Sequence, residues 1–397
     1  MMKTKWSKIS LIFFLLVAII GTLLRSVAYI PIPLKYLNLV HAHSHTAFQG
    51  WVYLIMMLLL TKTFLTDHQV EKGRYALQFK LTVFIVVGVL ISFSLQGYGL
   101  YSIIFSTLFQ LLNYWFVFRF LKDVKKGDFS EKYQFSLKFV KTGLWYGLLS
   151  TLLPYAIGIS SAKGLNGTDT YNALVYSFLH LQYNGWFLFV VLGLFFYYMN
   201  KKNIPYNKGF ANRFYWLFTI GVIPAVSLSF LGMDFSESIN LIAYFSVLVL
   251  VLALVYFILM LPKHLASLIK ESSVWFRSYF LGFLISFVVK TVLQCFSVFP
   301  FLKDYAFFNK PIIIAYLHLS LIGSISFLFL ALLIEKKYLP LNMLVKVGSA
   351  FLLIGFVITE IVLVLMGFSL LYNQWILIIG SAAMALGVLF MILSRTK

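Results

Sequence analysis

His45-Thr-Ala-Phe-Gln-Gly50-Trp51, His180-Leu-Gln-Tyr-Asn-Gly185-Trp186 and His318-Leu-Ser-Leu-Ile-Gly323-Ser324 are three copies of one phrase, His-x4-Gly. The histidines stand 135 and 138 residues apart, each step close to a third of the 397-residue chain. Each phrase opens a long apolar run. An ionisable residue is costly in hydrocarbon, so its recurrence at one place in each third marks a candidate functional site. Neutral imidazole is also the commonest protein metal ligand.

Around the phrases, hydrophobic residues make up 61% of the chain and charged residues 11%, with a mean hydropathy of +0.92. Apolar stretches of about 18 or more residues recur throughout, each long enough for a bilayer core of roughly 30 Å. Only helices and closed barrels satisfy all backbone polar groups in lipid, and these runs are too long for barrel strands. The expected fold class is all-α: a polytopic membrane protein of twelve transmembrane helices forming a single integral membrane domain over 1–397. The predicted spans are 9–30, 38–61, 77–97, 99–121, 136–159, 171–199, 213–233, 239–261, 275–299, 311–334, 344–367 and 373–394. The single cysteine, Cys295, rules out an internal disulfide framework, CxxC metal knots and c-type heme attachment. The first run follows Lys3, Lys5 and Lys8 as a signal peptide would. It is longer than a signal core and has no Ala-x-Ala-like site, so a retained helix is expected.

The net charge of +20 reads as topology. At alternate ends of the spans, 22 lysines and arginines fall on one side and five on the other: Arg25, Lys35, Lys163, Lys303 and Lys310. The positive-inside rule places the rich side, with both termini, in the cytoplasm of a cell inner membrane. These charges also meet anionic lipid, so the expected partner is the bilayer and no nucleic acid is needed to explain them. Spans 2, 6 and 10 then run inward, with each histidine about two turns from the outer end. Three imidazoles at one depth divide the chain into pseudo-equivalent four-helix units, approximately 1–125, 126–265 and 266–397.

The pattern resembles the heme–copper oxidase superfamily (subunit I and nitric oxide reductases), whose main subunit has twelve helices in three groups of four. The resemblance covers the whole chain in topology and rests in sequence on the three short phrases. It implies that His45, or its neighbours His43 and His41, matches a heme ligand on helix 2. It likewise implies that His180 matches a copper ligand on helix 6 and His318 a heme ligand on helix 10. Where the family has a His pair on helix 7, span 7 has none, and His318-Leu-Ser320 holds one histidine where the family has two. These departures reduce the implied cofactor to one heme b, or one metal such as copper held by histidines of different helices. A membrane or periplasmic redox partner is implied with it. If the chain is an enzyme, the resemblance makes it a heme- or copper-dependent oxidoreductase acting in electron transfer, nitric oxide chemistry, or heme or metal handling.

Within His41-Ala-His43-Ser-His45, a helix puts His41 and His45 on one face with Gln49, while His43 points about 200° away from His41; an extended segment would instead put all three histidines on one face, as metal ligands. The helical form thus offers two metal ligands, or a heme ligand and a separate partner. A polar helix start at the membrane interface is the plainer reading. Lys290, with Gln294 one turn later, and Glu360 are charged or polar residues inside spans 9 and 11. Lys290 and Arg25 would neutralise heme propionates with Glu360 as a proton carrier; alternatively Lys290 and Glu360 form a structural ion pair. Gly50-Trp51 and Gly185-Trp186 would allow close approach of a helix or a macrocycle. The competing function class is a cofactor-free transporter or scaffold with a polar, histidine-lined centre.

Overall fold

The computed structural model describes residues 2–125 and 130–394. Lys126, Arg395 and Lys397 of the charge count, and the side chains of Lys3 and Lys303, lie outside the described residues. All regular structure among the described residues is helical. Ten helices are long and apolar enough to cross a membrane, or eleven if the bent pair Lys208–Val222 and Pro224–Phe230 is one span. These are the features of a multi-pass membrane protein. The predicted fifth span differs from a continuous helix. It runs as Glu131–Ser150 and resumes as Leu153–Ala162, with Pro154 in the first turn of the second piece. Proline has no N–H to give and starts helices more readily than it continues them. Asn207, Ser273, Asn309, Asn342 and Asn373 begin later helices by accepting a backbone N–H three residues on.

The helices that carry the repeat are Tyr36–Phe64, Asp169–Lys201 and Lys310–Glu335. Their apolar windows are 72%, 89% and 72% buried, against 28–50% for the other spans, so these three are the core helices. None is α-helical throughout. Each becomes π-helical directly after its histidine, over Thr46–Val52, Leu181–Phe187 and Leu319–Ser326. In a π-helix the N–H of residue i+5 meets the carbonyl of residue i, and His-x4-Gly is a five-residue step. Ser324 and Ser326 follow the same wide register, each donating to the carbonyl five residues back, at 3.2 Å to Leu319 and 2.8 Å to Leu321.

Each π-turn packs on the long helix that precedes its own, short helices aside: Met2–Ser26, Glu131–Ser150 and Val274–Phe296 respectively. In the first two, the glycine and tryptophan make the contact. A methyl group at Gly50 would lie 2.9 Å from Phe13 Cδ1, and one at Gly185 would lie 3.0 Å from Tyr146 Cβ. Trp51 stacks on Phe14 with ring centroids 4.4 Å apart. Trp186 lies over Gly147, where a Cβ would come within 2.7 Å of the indole. The Gly-Trp pairs therefore serve close helix approach.

Packing groups the chain into two units: Met1–Asp128 with Phe329–Lys397, and Phe129–Leu328. In the first unit, Met343–Gly367 and Gln374–Leu393 meet through glycines seven residues apart on each helix. A Cβ at Gly348 would lie 2.4 Å from the Gly387 oxygen, and one at Gly355 would lie 2.5 Å from the Gly380 oxygen. Small residues at such crossings let two backbones touch, the usual source of packing energy between helices in lipid.

Candidate functional site

In the unit 129–328, the bent seventh segment creates the first requirement. Pro224 follows Lys208–Val222 and the chain turns by 48°. Beyond the bend the Val226 N–H bonds the Ile223 oxygen, a tighter step than the α-helical bond to Val222. The Val222 carbonyl is thereby released, and buried carbonyls need donors. His180 supplies one, with Nε2 2.9 Å from the Val222 oxygen. Its other nitrogen, Nδ1, accepts from Asn184 Nδ2 at 3.2 Å. Asn184 Oδ1 in turn accepts from Lys290 Nζ. The chain of contacts fixes one consistent set of roles: Lys290 donates, Asn184 relays, and His180 carries its proton on Nε2.

His180 and Lys290 are each 1% exposed and Asn184 is 2% exposed, so this centre is desolvated. Gln294 Oε1 lies 3.4 Å from both Lys290 Nζ and the Tyr316 hydroxyl. The hydrogen-bond partners of Lys290 among the described residues are thus amide oxygens. His180, Asn184 and Gln294 line a cavity of about 10 Å3 together with Phe218, Val222, Ala225 and Leu250. That is room for about one water. Lys290 is held by these amides, and within the other unit Glu360 has Arg25 as its opposite charge.

In the unit formed by 1–128 and 329–397, the histidine triplet divides as its helical spacing requires. His43 turns to the first helix, where its Nδ1 lies 3.0 Å from the Val17 oxygen. His41 and His45 face Tyr98 instead. The His41 ring meets Tyr98 edge-on at 4.6 Å, and His45 Nε2 is 3.1 Å from the Tyr98 hydroxyl. His45 also stacks on Phe93 at 4.1 Å and takes Gln49 Nε2 on its Nδ1 at 3.4 Å. Arg25 donates to the Leu377 oxygen at 3.1 Å and to Ser381 Oγ at 2.5 Å, tying the first helix to the last. His318 ends the helix Lys310–His318, immediately before its π-turn.

Among the described residues, no group of three or more His, Cys, Asp and Glu is arranged to hold a metal ion. A ligating imidazole needs a free lone pair, and its second nitrogen is ordinarily fixed by a carbonyl or carboxylate. His180 does not fit a copper ligand: both nitrogens are engaged, and turning Asn184 over would press its NH2 against the Lys290 ammonium. As a propionate partner Lys290 is already occupied by Asn184, whereas Arg25 bonds Leu377 and Ser381 through Nη1 and leaves Nη2 buried without a hydrogen bond. His43 would fit as a single ligand, because donation from Nδ1 to Val17 leaves Nε2 unprotonated.

Sequence reasoning missed Asn184 and Tyr98 as participants. The signal for Asn184 was its position four residues after His180, one helical turn on the same face. Tyr98 lies in a Gly-Tyr-Gly connection with no periodicity to read. In comparisons with known proteins, no family model and no curated protein matches this chain.

Proposed function

We propose that the protein is a membrane transporter of a small anion, with its binding centre in 129–328. One observation carries this: the Lys290 ammonium is buried on neutral amide oxygens beside a cavity at a break in a span. Charges inside a membrane pair with an opposite charge or line a substrate path. Broken helices at membrane depth occur where they line a cavity, and transporters place their sites at such breaks. The small cavity suits a monatomic solute about the size of one water. His180 holds the released Val222 carbonyl, and so keeps the bent segment against the centre.

The scaffold on this reading crosses the inner membrane twelve times, counting Glu131–Ser150 and the bent pair, with both termini cytoplasmic. Three pseudo-equivalent four-helix units are supported by the shared packing of each π-turn on the preceding long helix, and the orientation by the lysine and arginine asymmetry. In proteoliposomes loaded with chloride, release read by an ion-selective electrode is expected for the wild type and lost in Lys290→Met. Equal release from the variant, or none from the wild type above empty liposomes, would sink the proposal.

A second reading retains the likeness to heme–copper oxidases, with one heme b held by His43 and a histidine of another helix. It is favoured by the Nδ1 contact of His43 to Val17, the hydrogen bonding of a metal-binding imidazole. Bound heme would supply one-electron chemistry. The visible spectrum of protein expressed with ample heme then shows a Soret band that disappears in His43→Ala. A colourless preparation removes this reading and leaves the transporter untouched.

A further inference from the structure

We propose a transition-metal site built by His41, His45 and Tyr98, which takes a borderline first-row divalent ion such as Cu2+ or Zn2+. It lies in a different unit from the anion centre and does not depend on that reading. His41 and His45 are one turn apart on the same helix face, a spacing that lets two imidazoles reach one ion. Both rings lie against Tyr98, and the Tyr98 oxygen is 3.1 Å from His45 Nε2. Two ligand atoms each about 2.1 Å from a tetrahedral ion stand roughly 3.4 Å apart, so this separation is near what shared coordination needs. Imidazole nitrogen suits both ions.

The second observation is Gln49. Its Nε2 faces His45 Nδ1, while its Oε1 is buried with no hydrogen-bond partner. A buried orphan oxygen calls for an explanation. Turning the amide over brings that oxygen onto Nδ1, where it accepts a hydrogen bond from Nδ1–H and commits His45 to the tautomer with a free Nε2 lone pair. This is the outer-sphere bond that ligating histidines use. The imidazole proton moves from Nε2 to Nδ1, the nitrogen lone pair binds the ion, and Tyr98 passes its hydroxyl proton to water as its oxygen joins. His41 gives a second nitrogen and water completes the shell. Phe93, stacked on His45, holds the ring plane. Tyr98 is 60% exposed in the connection between Tyr75–Gln96 and Leu100–Lys125, so an ion can arrive at the helix ends without crossing the core. His180, by contrast, is locked by Lys290 through Asn184.

The test uses the full-length protein in detergent, stripped of metal, with His68 in the short helix Asp67–Lys72 and His264 before Leu265–Leu268 replaced by alanine to silence adventitious sites. Titration calorimetry with Cu2+ or Zn2+ is expected to show one ion per chain. His41→Ala and His45→Ala each weaken it by at least the roughly 10–100-fold that loss of an outer-sphere partner alone costs. Gln49→Met weakens it about tenfold, and His43→Ala leaves it unchanged. Electron paramagnetic resonance of the Cu2+ form should show two nitrogens, reduced to one in His41→Ala. That variant changes a half-buried ring and retains the fold, which gel filtration checks. Binding unaffected in both His41→Ala and His45→Ala, or lost in His43→Ala alone, overturns the assignment.

Discussion

Asn184→Ala will cost about 3 kcal/mol of stability in detergent, because the change strands the Lys290 ammonium and His180 Nδ1 together in a desolvated site. Hydrogen bonds to charged groups are worth roughly 1.5–3 kcal/mol, and leaving the charged partner buried costs more than making the bond ever gained. The bond to Gln294, at 3.4 Å, is long and replaces little of what is lost. The decisive comparison is the double variant Asn184→Leu with Lys290→Met, measured by equilibrium unfolding beside both single changes. Replacing both partners with apolar groups removes the orphan, so the pair should cost less than the sum by about 1.5 kcal/mol or more. Additive single effects would mean that the amide and the ammonium do not depend on each other.

A comparably large loss is expected from Gly355→Ala, for a steric reason. The new methyl would sit 2.5 Å from the Gly380 oxygen and 3.1 Å from the Met384 nitrogen, both backbone atoms that cannot rotate away. The helices Met343–Gly367 and Gln374–Leu393 would have to separate, at roughly 1–3 kcal/mol for overpacking. Adding Gly348→Ala, which meets the Gly387 oxygen at 2.4 Å, should deepen the loss. Gly158→Ala is the control: nothing lies within 4 Å of its Cβ position, and it stands in a helix. There the same chemical change should stabilise by about 0.5–1 kcal/mol, since alanine loses less backbone freedom than glycine. Thermal unfolding of the three proteins side by side reads the sign directly. A neutral Gly355→Ala would show that the close crossing contributes little.

Much of this architecture is legible in hydropathy, because a run of about twenty apolar residues has few alternatives to a helix. The helical split of His41 and His45 from His43 is likewise legible, since it follows from the angle per residue alone. The bends are harder to read. Pro224 announces a break, yet nothing local says that the freed carbonyl is the one on Val222 or that a residue 42 positions earlier in sequence will cap it. Lys290 announces a site, but its amide partner is chosen by packing: Asn184 stands 106 positions away in sequence. The π-turns were hidden for a different reason. A five-residue His–Gly step looks like any other spacing until the hydrogen-bond register is known.

Those wide turns have a consequence for how the three core helices point. Along an α-helix direction advances by 100° per residue, so an extra residue in a turn delays the phase of everything beyond it by about that much. The stretches Tyr36–His45 and Tyr53–Phe64 are therefore out of phase with each other, as are Asp169–His180 and Leu188–Lys201, or Lys310–His318 and Phe327–Glu335. Each helix works as two short rods on one axis with independent bearings. One rod can aim its histidine without disturbing the apolar seam that the other presents to its neighbours.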